Sequence, residues 1–241
     1  MYMNKSFLAI IPARSGSKGI TDKNIKEINK KPLIAYTIDA CVKSKIFDNI
    51  IVSTDSKKYA QIAESCGASV PFLRLKELST DIASSNDVIF YVLNEMKKAG
   101  NLYDYIVLLQ PTSPLRNENH ILESVNKLLS YDANSIVSIC EVDHSSNINI
   151  VLDSNMRLDF LFDDSKKIRR QDMKKEYRIN GAIYICKTDY FLKYKSFYRE
   201  KSYPYIMDKI SSIDIDDIYQ FEFAKFIINN NFVSLNFKEK K

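Results

Sequence analysis

Short apolar runs alternate with longer segments of helical spacing over the first 140 residues of the chain. Several runs are rich in β-branched residues and almost continuously apolar, as in strands that are buried on both faces. They predict strands at residues 7–11, 50–53, 105–109 and 135–140. The segments between them predict helices at residues 33–43, 56–66, 86–98 and 117–129. This alternation indicates an α/β fold with a mainly parallel sheet, right-handed crossovers and helices on both faces, in which ligands bind at the carboxyl ends of the strands.

The alternation stops after residue 140, where two apolar segments flank a turn-like sequence and no crossover helix follows. Residues 148–152 and 156–162 are spaced as in a hairpin. We therefore expect a single domain over residues 1–241, with a protruding segment at about residues 141–180 that serves a partner subunit or acts as a lid. A strand at residues 182–186 and a helix at residues 218–228 complete the domain. Residue types at the helix ends predict N-caps at Ser56, Asn117 and either Asp216 or Asp217, and left-handed glycines at Gly67 and Gly100.

Composition identifies an ordinary globular chain that avoids glycine. The 241 residues are 45% hydrophobic and 27% charged, and no apolar run reaches the ~18 residues that a membrane helix needs. The four cysteines are widely spaced, which disfavours disulfides and metal clusters and fits a reducing cytoplasm. There are only five glycines, about 2% where about 7% is usual. Two of them, Gly16 and Gly19, stand three residues apart, which predicts a loop of special backbone geometry.

The net charge of +5 is concentrated in one stretch. Residues 166–178 contain seven basic and two acidic side chains, so that this stretch carries +5 by itself and the remainder of the chain is neutral. The stretch is either a solvated loop or an anion-binding patch at the rim of a site or at a subunit contact. Arg170 and Arg178 are its most interesting members, because arginine binds carboxylates and phosphates in a bidentate manner.

The strongest local signal is the sequence IPARSGSKG at residues 11–19, directly after the first predicted strand. Glycines permit a close approach, successive backbone N–H groups can point at oxygens, and Arg14, Lys18 and Lys23 supply positive charge. The segment therefore predicts a loop that binds phosphates, although it matches neither a Walker loop nor a dinucleotide-binding loop. A surface loop without a ligand is the alternative.

A second signal is LLQPTSPLR, at the end of the strand predicted at residues 105–109. Its two prolines stiffen the turn. We expect Gln110, Thr112, Ser113 and Arg116 to face the crevice and to bind a polar substrate; a purely structural turn is the alternative.

A third signal is SIDIDD at residues 212–217. In extended backbone Asp214 and Asp216 share one side and can jointly hold a hard cation such as Mg²⁺, while Ile213 and Ile215 enter the core. Capping of the last helix is an alternative role for Asp216. With only two histidines in the chain, a histidine-rich metal site and a Ser-His-Asp triad are both disfavoured.

Five motifs together resemble the acylneuraminate cytidylyltransferases: IPARSGSKGITDKN, RLKELSTDIASS, LLQPTSPLR, RRQDMKKEYRINGAIYI and YIMDKISSIDIDD. The resemblance covers nearly all of the chain. It implies a Rossmann-like, three-layer nucleotidyltransferase that joins CTP and a nine-carbon α-keto acid sugar, N-acetylneuraminic acid, to give the CMP-sugar and pyrophosphate, with Mg²⁺. It also implies a homodimer in which the protruding segment reaches into the neighbouring site.

The resemblance also implies roles for individual residues. The nucleotide would be bound by Arg14, Ser17, Lys18, Lys23, Asn24, Arg74 and Ser85. The sugar would be bound by Gln110, Thr112, Arg178 and Asn180, together with Arg170 from the other subunit. Asp214 and Asp216 match the metal-binding carboxylates. Some members carry His-His-Pro-Leu-Lys where this chain has HSSNI at residues 144–148, so one contact that selects the sugar differs.

In the implied reaction the anomeric hydroxyl of the sugar attacks the α-phosphorus in line with pyrophosphate, so the protein must position the reactants and neutralise charge. Arg14, Lys18, Lys23 and the metal would serve the second task, and Asp216 would accept the hydroxyl proton directly or through a metal-bound water. We also expect valine at Gly16 or Gly19 to damage CTP binding more than folding.

Three alternatives remain. Legionaminic, pseudaminic or keto-deoxyoctulosonic acid could replace the sugar. A glycosyltransferase of similar fold would normally carry its Asp-x-Asp earlier in the chain. A nucleic-acid-binding module could use residues 166–178, but the chain lacks an aromatic-studded recognition motif. Neither a nucleic acid nor a membrane is therefore expected as a partner.

Overall fold

The computed structural model describes residues 1–146, Leu152, Ser154 and residues 175–232. The strands in these residues are β1 (Phe7–Pro12), β2 (Glu27–Ile28), β3 (Lys31–Pro32), β4 (Asn49–Ser53), β5 (Tyr105–Leu108), β6 (Ser135–Glu141), β7 (Tyr177–Lys187) and β8 (Ser202–Ile206). The helices are α1 (Leu33–Ser44), α2 (Lys57–Ser65), α3 (Ser85–Lys98), α4 (Glu118–Ser130), α5 (Thr188–Tyr194) and α6 (Ile218–Asn229). Short 3-10 helices cover Lys23–Ile25 and Lys76–Ser79.

Six strands form one mixed sheet in the order β4-β1-β5-β7-β6-β8, and β2 pairs with β3 in a separate hairpin. Strand β1 lies parallel to β4 and β5, and β6 lies parallel to β8. Strand β7 alone is antiparallel, inserted between β5 and β6. The expected mainly parallel sheet is confirmed, with β7 as the exception. Because β7 runs in reverse, its first residues lie at the edge where the other strands end.

The side chains of β1 divide the core into two layers. Phe7, Ala9 and Ile11 join one buried cluster with α1 and α4, whereas Leu8 and Ile10 join another with α3 and α5. All five side chains are fully buried. Such a strand buries both of its faces, so its run reads as continuously apolar. The expected three-layer, Rossmann-like α/β architecture is confirmed.

A third, smaller apolar cluster fixes the segment before α6. Ile215 is fully buried there against Ile20, Leu33 and Phe221. The cluster therefore holds residues 213–216 beside the end of the loop that follows β1. Burial of Ile215 confirms its expected orientation into the core, although residues 213–216 do not form a strand.

The helix ends follow the sequence signals. Ser56 and Asn117 cap α2 and α4 through their side chains, and Gly67 and Gly100 have positive φ. Asp217, rather than Asp216, caps α6 and forms a capping box with Gln220. Helix α3 begins one residue before the predicted 86, with Ser84 as its N-cap.

Three elements are missing from the sequence expectations, which also gave no direction for β7. Strand β8, helix α5 and the β2–β3 hairpin were not predicted. β8 lies at the edge of the sheet and contains Pro204, and proline is tolerated at an edge but is not a strand signal. The predicted hairpin at residues 148–162 lies outside the described residues apart from Leu152 and Ser154, as does the basic stretch up to Lys174. None of the helices described is long and apolar enough to span a bilayer.

Candidate active site

A cleft of about 450 Å³ opens at the edge of the sheet where β1, β4 and β5 end. Four segments line it: the loop after β1, the loop before α3, the turn after β5 and the segment before α6. The structure brings eleven of the residues expected in the site together in its lining, namely Arg14, Ser17, Lys18, Lys23, Asn24, Arg74, Ser85, Gln110, Thr112, Asp214 and Asp216.

The loop after β1 is held from two sides. The backbone N–H and the hydroxyl of Ser15 donate to the carboxylate of Asp55, at 2.8 and 2.7 Å. Asn24 is buried, and its Nδ2 donates to the carbonyl of Arg14 at 3.1 Å. Gly16 has a φ of +72°, which a residue with a side chain rarely adopts. The loop is therefore a fixed structure, and Asp55, which anchors it from the end of β4, was not singled out from the sequence.

The cations of this loop face two different partners. Arg14 Nη2 and Lys18 Nζ each lie 2.6 Å from the carboxylate of Asp81, on the opposite wall. Lys23 is mostly buried; its Nζ donates to the carbonyl of Ile215 at 2.6 Å and lies 3.5 Å from Asp216 Oδ1. Lys23 thus joins the loop to the segment before α6 (residues 213–216), which we call the acidic segment. Asp81 lies in a motif that carries the family resemblance, but its pairing with both cations was not predicted.

Glycine at position 19 allows the loop and the acidic segment to touch. A Cβ atom at Gly19 would lie 2.5 Å from the backbone oxygen of Asp216. Such a distance is essentially never observed for a Cβ atom. Gly19 is therefore required by space rather than by φ.

Asp214 and Asp216 differ in their surroundings. Asp216 has a 77% exposed side chain. Burial raises the pKa of Asp214, as does the nearby Asp216, while a hydrogen bond from Thr112 and the charges of Lys23 and Arg178 oppose the rise. Asp214 Oδ1 is buried and has no hydrogen-bond partner among the described residues.

The two carboxylates fit a divalent cation. A buried carboxylate oxygen without a donor is an open ligand position, and Mg²⁺ is commonly bound by one or two carboxylates together with substrate phosphates. Within residues 1–146 and 175–232, no group of three or more His, Cys, Asp or Glu side chains is arranged to hold a metal ion. Ligands beyond the two carboxylates would therefore have to come from a bound phosphate or from water.

Arg116 does not face the crevice, contrary to the sequence expectation. It is 2% exposed, and Nη1 donates to the carbonyls of Gln110 and Ala182 at 3.2 and 2.8 Å. Nη2 donates to the hydroxyl of Thr37. Burial lowers the pKa of Arg116 to about 10. Ser113 is also fully buried. The rigid turn after β5 is thus braced from beneath by Arg116, and Gln110 and Thr112 remain in the cleft lining.

The residues expected from β7 lie partly behind the cleft. Arg178 Nη2 donates to the carbonyl of Ser212 at 3.2 Å, which places Arg178 beside the acidic segment. Asn180 is fully buried; its Nδ2 donates to Ser212 Oγ at 2.8 Å and its Oδ1 accepts from Ser138 Oγ at 2.6 Å. In this structure Asn180 supports residue 212 and does not line the cleft. Arg170 lies outside the described residues.

Gly181 sets the spacing between β7 and the turn after β5. Its φ is +77°, and a Cβ atom there would lie 2.5 Å from Gln110 Oε1. Arg74 also lines the cleft. Burial lowers the pKa of Arg74 to about 10, and its guanidinium donates to Ser53 Oγ at 3.1 Å and to the Ser53 carbonyl. Ser85 lines the cleft from the first turn of α3.

Known proteins are similar to this chain in sequence and in fold. The sequence profile of a family described as cytidylyltransferase matches residues 8–238. An N-acylneuraminate cytidylyltransferase of Escherichia coli O18:K1:H7 is 43% identical over 92% of this chain and 52% of its own length. A CMP-N,N'-diacetyllegionaminic acid synthase of Legionella pneumophila is 37% identical over 87% of this chain and 90% of that protein.

Among solved structures, a CMP:2-keto-3-deoxy-manno-octonic acid synthetase complexed with CTP has a TM-score of 0.70 and 14% identity, and the match covers 94% of this chain and 99% of that one. At this identity the likeness shows the fold alone. The chain spans about half the length of several curated relatives that it matches, the E. coli protein included. The profile over nearly the whole chain and the relatives above 30% identity show that the chain belongs to the cytidylyltransferase family.

Proposed function

We propose that the protein transfers the cytidylyl group of CTP to a nonulosonic acid, with N-acetylneuraminic acid as the preferred sugar and pyrophosphate as the second product. The observation that carries the proposal is the meeting of Arg14, Lys18 and Lys23 with Asp214 and Asp216 in one cleft. Cations suit the phosphates of the nucleotide, and the two carboxylates suit a divalent cation and a proton acceptor. The name of the E. coli relative indicates the sugar class.

The reaction forms one phosphorus–oxygen bond, breaks another and moves one proton. The anomeric oxygen of the sugar attacks the α-phosphorus, the bond from that phosphorus to the pyrophosphate oxygen breaks, and the hydroxyl proton leaves. Arg14 and Lys18 neutralise the departing pyrophosphate, and Lys23 serves the phosphate nearer to the acidic segment. Asp216 accepts the proton, directly or through a water molecule, because its exposed carboxylate lines the cleft.

Asp214 and Asp216 would hold Mg²⁺. When bound, this ion supplies positive charge to the phosphates of the nucleotide. Asp214 contributes the buried oxygen that has no hydrogen-bond donor among the described residues, and Thr112 fixes the same carboxyl group through a hydrogen bond. Loading with the ion is expected to convert an unfavourably buried charge into a coordinated one.

The sugar would lie against the turn after β5. Gln110 and Thr112 line the cleft there, and Arg178 lies beside the acidic segment, where it can bind the sugar carboxylate. Asn180 would not contact the sugar directly; it would position Ser212 through the hydrogen bond from its Nδ2. Legionaminic or pseudaminic acid is the alternative sugar: the Legionella relative carries the first of these in its name and covers the chain almost fully.

A homodimer is part of the proposal. Across β7, β6 and β8, the register places Ile179, Ile139 and Ile206 side by side, and Ile179 and Ile206 are 49% and 55% exposed. This apolar row lies next to Tyr177, which is 41% exposed. A second copy of the chain would cover the row and bring Arg170 to the neighbouring site.

The buried Cys41, Cys140 and Cys186 carry free thiols, which supports a cytoplasmic location.

Pyrophosphate release tests the activity. The purified chain is incubated with Mg²⁺, one of the four nucleoside triphosphates and one of the sugar acids: N-acetylneuraminic, legionaminic, pseudaminic or keto-deoxyoctulosonic. We expect release with CTP and N-acetylneuraminic acid. Release with another acid only would transfer the proposal to that sugar, and no release with any pair would refute it.

Variants test the assigned roles. Asp216→Asn should lower turnover about 10²- to 10³-fold with an unchanged melting curve, whereas Asp217→Asn, which removes the adjacent charge and keeps an N-cap, should stay near wild type. Retained turnover in Asp216→Asn would refute its role. Arg170→Ala and Asp216→Asn chains, both inactive alone, should regain activity when mixed, because one site of the heterodimer is then complete. Mixtures without activity would refute donation of Arg170 in trans.

A further inference from the structure

Asp81 bridges the cleft. It lies in the loop between the 3-10 helix Lys76–Ser79 and α3, on the wall opposite the loop after β1. One carboxylate oxygen lies 2.6 Å from Arg14 Nη2 and the other 2.6 Å from Lys18 Nζ. A single carboxylate therefore engages two cations in the way that two oxygens of one phosphate group would.

The paired cations have no other acidic partner in the part of the chain that the structure describes. Hydrogen bonds, first from Lys18 and then from Arg14, hold the pKa of Asp81 below its ordinary value. Asp81 is consequently ionised at neutral pH. It reduces the charge of the group formed by Arg14, Lys18 and Asp81 from +2 to +1.

We infer that Asp81 is a competing carboxylate that determines which anions the phosphate subsite retains. An anion that needs both Arg14 and Lys18 must first displace Asp81. A whole nucleotide with its cation makes many further contacts and can do so, whereas free pyrophosphate, which has lost the nucleoside contacts, competes poorly and leaves. The inference rests on the proposed function, because it takes these cations to be the phosphate subsite.

The geometry separates this role from that of a structural ion pair. The side chain of Lys18 is 81% exposed and that of Asp81 41% exposed, so water can replace either partner at little cost. The loop after β1 keeps its own anchors at Asp55 and Asn24. Removing the charge of Asp81 should therefore leave the loop in place and its cations available.

The test is the binding of Mg²⁺-pyrophosphate, measured by calorimetry on the full chain. Asp81→Asn keeps the size of the side chain and removes its charge. The matched control is Glu77→Gln, which removes one exposed carboxylate of the preceding 3-10 helix, outside the cleft lining. We expect Asp81→Asn to bind pyrophosphate about 2- to 30-fold more tightly, the range available from two exposed ion pairs. Glu77→Gln should bind as the wild type does, and Asp81→Glu should restore weak binding. Product inhibition by pyrophosphate should strengthen in Asp81→Asn by the same factor.

Three results would overturn the inference. Equal or weaker pyrophosphate binding in Asp81→Asn, with normal CTP binding in every variant, would mean that Asp81 organises the cations instead of competing with the ligand. An equal gain in Asp81→Asn and Glu77→Gln would reduce the effect to long-range charge. A wild type that binds neither CTP nor pyrophosphate would refute the proposed function itself, and the inference with it.

Discussion

Gly19→Ala adds a single methyl group at the contact between the loop after β1 and the acidic segment. The added Cβ atom would lie 2.5 Å from the backbone oxygen of Asp216, whereas Cβ contacts below 3.0 Å are essentially never observed. The loop or the acidic segment must therefore move by at least about 0.5 Å. Backbone rather than a flexible side chain is in the way, and Ile215 next to it is fully buried, so the strain cannot be relieved locally.

The expected loss is in turnover rather than in folding. Lys23 binds the carbonyl of Ile215 and approaches Asp216 from the same loop, so that a shift of the loop moves both groups relative to the nucleotide. Catalytic groups must be held within about 0.5 Å of the productive geometry, and a displacement of about 1 Å can cost about 10²-fold. We expect Gly19→Ala to lower kcat roughly 10- to 100-fold in the pyrophosphate-release assay.

Gly16→Ala is the matched control. No atom lies within 4 Å of the position of a Cβ at Gly16, but φ is +72°. The variant should therefore lose about 1 kcal/mol of stability, or roughly 2–4 °C in Tm, with a smaller loss of turnover. The two glycines, equivalent in sequence, thus differ in the structure. Turnover in Gly19→Ala within twofold of wild type, or a larger loss in Gly16→Ala, would refute the reasoning.

Three further substitutions have calculable outcomes. Burial raises the native pKa of Asp214, so the metal-free protein loses stability as the pH rises through that pKa. Asp214→Asn should therefore have the same Tm as wild type at pH 8, or one a few degrees higher, and this difference should shrink toward pH 4. Mg²⁺ should raise the Tm of the wild type only. A lower Tm for Asp214→Asn at pH 8 would contradict this. Arg116→Met leaves two carbonyls and the Thr37 hydroxyl without their donor, so urea unfolding should report a loss of about 2–4 kcal/mol; wild-type stability would mean that desolvation of the charge outweighs its bonds. Asp217→Ala removes the cap of α6, so its Tm should fall by roughly 2–4 °C, equivalent to about 1 kcal/mol, and an unchanged Tm would show that Gln220 suffices.

The sequence revealed what is local. A strand followed by a glycine-containing basic loop, a rigid proline turn and two alternating aspartates are readable because each depends on neighbouring residues, and all three line the cleft. Strand direction is different: the pattern of β7 is the same whether it runs parallel or antiparallel, and only its pairing with β5 and β6 decides. Strand β8 was not predicted for a similar reason: Tyr203 and Ile206 are apolar but partly exposed, so its sequence lacks the pattern of a buried strand.

Contacts between distant segments could not be read. Ser15 and Asp55 are 40 residues apart, Arg14 and Asp81 are 67 apart, and Lys23 reaches a carbonyl 192 residues away. No periodicity links such positions. Arg116 shows the same limit from the other side: a polar residue in a motif suggests exposure, but its acceptors come from a helix and a strand that only the fold brings beneath the turn.

Burial shifts the pKa values of three ionisable groups around the cleft, Arg74, Arg116 and Asp214, and these groups differ in their hydrogen-bond partners. Burial lowers the pKa values of Arg74 and Arg116 to about 10, and each guanidinium donates hydrogen bonds to protein oxygens, although Arg116 Nε has no partner among the described residues. Asp214 is also penalised by burial, but its Oδ1 has no donor among the described residues. A buried carboxylate oxygen without a partner is costly, and a bound cation would offset that cost at Asp214. The same burial that raises the pKa of Asp214 would therefore favour a bound cation, because coordination would supply the partner that Oδ1 lacks among the described residues and would add to the positive charge of Lys23 and Arg178.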